Sequence, residues 1–132
     1  MKIDFGQVVL KEEIKEKRIA CQKAIVAETR YNKETQGIVV DGVSINTERD
    51  SQAMITGAAL SAVLDDTYVC RWKTPNGFVD LTASELISVS QSMRKYVQAC
   101  FDRESELIEA IVSDQYNDSM LTEGWPDAEI QN

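Results

Sequence analysis

Residues 71–85, RWKTPNGFVDLTASE, carry a strand, a tight turn, a second strand and the start of a helix in one unbroken run. In an alternating strand, Tyr68, Cys70 and Trp72 share one face, and Val69, Arg71 and Lys73 share the other. Pro75 presets φ at the turn entry, while Asn76 and Gly77 tolerate left-handed backbone. Thr82 and Glu85 have the spacing of a capping box, in which the hydroxyl caps an early helical N–H and the carboxylate reaches back. Each local choice agrees with the next, so the segment reads as a corner of a packed domain. Trp72 is then mainly a core residue, with an interface anchor as the other reading, and Lys73 is the candidate for an exposed contact.

The helix that Thr82 starts runs to about residue 113. Leu86, Val89, Met93, Val97, Cys100, Leu107 and Ile111 follow a heptad-like rhythm, with Tyr96, Phe101 and Ile108 beside the seam. About 31 residues at 1.5 Å each span roughly 46 Å. A globule of this chain length is only about 36 Å across. The helix is therefore expected to break or to overhang its domain, offering Met93, Val97 and Phe101 to a partner.

Upstream, Ile38–Val40 and Val43–Ile45 flank Asp41-Gly42, a strong short hairpin signal, because a type I′ turn needs positive φ at both central residues. Thr47 and Asp50 resemble a second capping box, opening a helix whose expected core includes Ala53, Met54, Gly57, Ala58, Leu60, Ala62, Val63 and Leu64. Gly57 inside that helix suggests close approach by another element. A first helix over about residues 7–32 carries Leu10, Ile14, Cys21 and Ile25 on one stripe, widened by Ala20, Ala24 and Ala27. The closing segment, SDQYNDSMLTEGWPDAEIQN, is polar and acidic, yet Trp125 between Gly124 and Pro126 is a candidate anchor. It reads either as a docked peptide or as a disordered tail. These divisions give a helix and linker over 1–36, a core over 37–113 and a tail over 114–132.

The 132 residues carry 22 acidic against 14 basic side chains, a net charge of −8, which disfavours nucleic-acid binding through a basic face. The sign is uneven: Lys11, Lys15, Lys17 and Arg18 cluster in the first helix, whereas Asp102–Glu129 has Arg103 alone among acids. An antiparallel pairing of the first and last helices would oppose Lys11–Arg18 to Asp102–Glu109. No apolar run reaches the roughly 20 residues that a membrane helix needs, nor is there a signal-like N-terminus. With no histidine, triads of the Ser-His-Asp or Cys-His kind are impossible, and no Gly-rich phosphate loop is present. Cys21, Cys70 and Cys100 are widely spaced and read as reduced, partly buried thiols rather than as a metal site. The expectation is a protein without catalytic residues, metal or cofactor.

The order helix, Asp-Gly hairpin, capped helix, Trp hairpin, long helix resembles a domain of unknown function common in tailed bacteriophages and prophages. The likeness covers residues 37–112. It is carried by Gly42, Val43, Ile45, Thr47, Asp50 and Ser51, by Trp72, Lys73, Asn76, Gly77, Phe78, Val79 and Leu81, and by the Leu86–Ile111 helix. It implies a small α+β fold, two hairpins packed against an N-terminal, a short central and a long C-terminal helix. It also implies association with other phage tail or tail-fibre proteins, in the host cytoplasm during assembly and then in the virion tail. Self-association through the helices is a separate expectation, which rests on the overhanging apolar seam of the last helix. A fibre-assembly chaperone that leaves the particle, or a small acidic inhibitor of a host enzyme or defence complex, are the alternatives.

Overall fold

The computed structural model describes residues 4–132. The fold is α+β, with three helices, two small sheets and a single 3-10 turn among the described residues. Helix α1 (Phe5–Thr35) starts at Asp4, whose carboxylate accepts from the Gln7 amide, and gives way at Gly37, which has a φ of +93°. Strands β1 (Ile38–Val40) and β2 (Val43–Ile45) pair antiparallel around Asp41 and Gly42, both with positive φ, as the Asp-Gly reading expected. Helix α2 (Arg49–Leu64) ends at Asp65. Strands β3 (Val69–Thr74) and β4 (Gly77–Thr82) form the Trp hairpin, with Trp72 opposite Val79 and Gly77 at φ +116°. Thr82 and Glu85 make the expected capping box at the head of α3 (Ala83–Val112).

Helix α3 is the spine of three apolar clusters. Near its middle, Met93, Tyr96, Val97 and Cys100 pack with Ile38, Val40, Ile45 and Ile55. At its start, Leu86 joins Ala62 of α2 and Leu81 of β4, beneath Cys70 and Trp72. At its end, Leu107 and Ile111 enclose Val26 of α1. All seven seam residues read from the sequence are buried, and the helix neither breaks nor overhangs.

The overhang belongs instead to α1. It runs antiparallel to α3, but its packed face is Ile19, Gln22, Val26 and Arg30, not the Leu10, Ile14, Cys21, Ile25 stripe, which is exposed. Arg30 lies beside Glu104 and Arg18 beside Asp114, so the Lys11–Arg18 turns reach the end of α3 rather than Asp102–Glu109. The physical reason is register: the deepest apolar pairing, Val26 with Leu107 and Ile111, fixes the helices, and exposed charges have little power to move it. Residues 5–18 are exposed throughout. At 1.5 Å per residue, that is about 20 Å of helix beyond the body of the domain.

The C-terminal segment is ordered against the domain. A 3-10 turn (Asp118–Thr122) leads to Trp125, which packs on the third cluster. Strand β5 (Glu129–Ile130) then adds to β1 in parallel, giving the sheet order β2-β1-β5. Arg103 of α3 ties the segment down, its guanidinium donating to the carbonyls of Glu123 and Met120 at 3.0 Å each.

Two expectations for α2 are corrected. Thr47 and Asp50 form no capping box: the cap position is Glu48, without a side-chain bond, and Thr47 is fully buried. The Thr47 hydroxyl donates to the Glu34 carbonyl at 2.7 Å and accepts from the Gly37 amide at 2.9 Å, latching the end of α1 to the first hairpin. Nor does Gly57 meet anything, since a Cβ there would have no neighbour within 4 Å. The packed face is Gln52, Ile55 and Ala62, and Met54, Leu60, Val63 and Leu64 point outward.

Candidate interaction surface

Beneath the surface, the polar side chains gather around Glu34, and Arg30 Nε is the one buried side-chain nitrogen or oxygen among the described residues without a hydrogen-bond partner. Glu34 is buried, and its carboxylate accepts three hydrogen bonds and makes one further ion-pair contact. Arg30 at 2.6 Å and Arg49 at 3.0 Å reach one oxygen, and Arg49 at 2.7 Å and Gln52 at 2.9 Å the other. Burial alone would raise the Glu34 pKa, but the bonds from Gln52, Arg49 and Arg30 outweigh it and hold the carboxyl below its ordinary range. Arg30 also lies 3.5 Å from Glu104, with its guanidinium 4.4 Å above the Phe101 ring. The Tyr96 hydroxyl donates to the Lys33 carbonyl at 2.6 Å, and burial pushes its pKa up to about 12. Burial likewise raises the Cys100 thiol, leaving it protonated and unreactive. These groups fasten α1 to α2 and α3. Among the described residues, no three His, Cys, Asp or Glu side chains come together to hold a metal, and no helix is long and apolar enough to cross a membrane.

The unsatisfied surface is apolar. Between α2 and the Trp hairpin lies a groove of about 610 Å³, lined by Ser51, Met54, Trp72, Lys73, Pro75 and Phe78 among others. Met54 is 65% and Phe78 64% exposed, and both line the same groove. Alternation puts Phe78 opposite Lys73 on the outer face of the hairpin, while Trp72 and Val79 turn inward. Arg71 pairs with Asp80 at 3.3 Å on the same outer face. The groove thus has an apolar floor and a basic rim in a chain of net negative charge.

Of the candidate contacts read from the sequence, Trp72 and Lys73 come together here, Trp72 half-buried and Lys73 exposed. Met93 and Val97 do not: they are 0% and 2% exposed, because the first sheet and Ile55 cover the α3 seam from within the chain. Phe101 is half-buried under Arg30. Trp125 packs inside the chain, its indole N–H donating to the Leu121 carbonyl at 2.7 Å. Met54 went unrecognised as a surface residue. Its signal was an α2 with more apolar positions than one packed face can hold.

The chain matches the family described as Domain of unknown function (DUF4376) over residues 13–127. It belongs to that family. No curated protein matches the chain, and no solved structure does. The match takes in the DUF4376 domain's Trp hairpin and groove, most of α1, and the Trp125 segment, all of which the structure packs around α3.

Proposed function

We propose that this DUF4376 domain is a non-enzymatic bacteriophage tail protein, a structural or tail-fibre-associated interaction module that holds a neighbouring tail protein in the groove between α2 and the Trp hairpin. The observation that carries this reading is the pair of exposed side chains, Met54 and Phe78, set beside Lys73. Such a groove suits an extended segment with an aromatic or aliphatic anchor and an acidic neighbour. Buried apolar anchors supply most of the affinity at interfaces of this kind, and rim charges choose the partner. The resemblance of the Trp-Lys-x-x-Asn-Gly-Phe hairpin to tail-region domains supplies the setting.

Purified tail and tail-fibre proteins of the source phage provide the test, through binding measured to the wild-type chain and to Phe78→Ser and Lys73→Glu. Both residues are exposed, so the melting temperature should hold while affinity falls about tenfold or more for each. Unchanged affinity in both variants would remove the groove as the docking site. A fibre-assembly chaperone would use the same groove, and differs in being absent from the finished particle.

A further inference from the structure

We propose that the free face of α1 pairs in parallel and in register with the same helix of a second copy of the chain. This goes beyond the groove reading, since it uses a different face and needs no tail protein. Leu10, Ile14, Lys17, Cys21 and Ala24 recur at alternating steps of four and three, and every one of them is exposed. With Ile14 and Cys21 at a and Leu10, Lys17 and Ala24 at d, the residues that pack on α3, Ile19 and Val26, fall at f, on the opposite side of the helix. One face is therefore used within the chain, while the other presents a coiled-coil seam to solvent. Leu10 is 55% and Ile14 59% exposed, and both lie on the protruding part of the helix. The protruding turns have no packing on either face, so a partner along the seam would stabilise them.

Charge selects the orientation and the occupant. In a parallel pair, Glu13 at g reaches Arg18 at the following e of the other chain, twice by symmetry. The existing contact of Arg18, with Asp114 at 4.0 Å, is exposed at both ends and leaves it available. An antiparallel pair would instead line the Lys11 and Arg18 rows of the two chains against each other and oppose the Glu13 rows. Ile at a with Leu at d favours two strands, and Lys17 can lay its stem along the seam with its head in water. One such polar position lowers the stability of the pair while helping to fix its register.

The test uses the full chain in sedimentation velocity, together with a short bis-maleimide that bridges neighbouring thiols. In the parallel pair Cys21 faces its own copy. In an antiparallel pair with Cys21 opposite Leu10, the two thiols sit 11 residues apart along the axis, roughly 16 Å. The expected result is a dimer that cross-links through Cys21. Ile14→Asp, at an exposed position, should give a folded monomer that no longer cross-links. Glu13→Arg should weaken the dimer, and adding Arg18→Glu should restore it. A wild-type monomer, any other stoichiometry, a dimer that survives Ile14→Asp, or one that fails to cross-link through Cys21 would each overturn the proposal.

Discussion

Glu34 carries its charge where solvent reaches about 1% of it, and Arg30, Arg49 and Gln52 around it decide what that charge does. Because its folded pKa lies below the ordinary 4.5, the stability it contributes is fully present above that value. That contribution is lost as pH falls through the folded pKa. Glu34→Gln removes the carboxylate shared by Arg30 and Arg49 and should cost about 3 kcal/mol, the low end for a broken buried pair because Arg30 keeps Glu104 and Arg49 is half open to water. Thermal melts should show that deficit at pH 7 and a narrowing gap to wild type as the pH falls through the lowered folded pKa. Gly57 makes the opposite case. It sits on the outer face of α2 with nothing near it, so Gly57→Ala should stabilise the fold by about 1 kcal/mol and raise the melting temperature by several degrees. A loss of stability would mean that something meets this face.

At the level of elements, the C-terminal segment is held along its length, down to Asn132, whose backbone amide donates to the Asp41 carboxylate at 2.8 Å. Trp125 packs on Leu107 and Ile111, Arg103 reaches two carbonyls, and β5 accepts the amides of Val39 and Asp41 through Ala128 and Ile130 at 2.8 and 2.9 Å. Gly124 links the first two. Its φ is +82°, and a Cβ there would land on the Arg103 guanidinium. Gly124→Ala should displace Arg103 and loosen the segment, seen as faster hydrogen exchange at Val39 and Asp41, with the α3 amides still protected. The sequence could show both hairpins, the Thr82 cap and the α3 seam, since each rests on neighbours within a few residues. It could not show β5, because a two-residue strand exists only through the pairing with β1. Thr47 misled for a related reason: its spacing to Asp50 is that of a cap, but its hydroxyl is taken by Glu34 and Gly37 across the chain.

In the whole molecule, apolar residues outnumber the places that can bury them. On both α1 and α2, two apolar stripes compete for one packed face. Which stripe wins depends on register with α3, and no periodicity along a single helix contains that information. The inward turn of Trp72 and the exposure of Lys73 were legible because strand alternation is local, whereas Met54 joined them only through the packing of α2 beside the hairpin. Met93 and Val97 looked like an interface because the first sheet that covers them is distant in sequence. The surfaces left over are the groove and the free face of α1, the two on which the proposed interaction role rests. Quantitative mass spectrometry of purified virions, from the phage that the proposed tail role requires, tests that proposal most directly. The expected result is this chain at a fixed ratio to the tail proteins. Clean absence from the particle, with abundance in infected cells, would contradict a structural role and leave the assembly chaperone and the host-directed inhibitor.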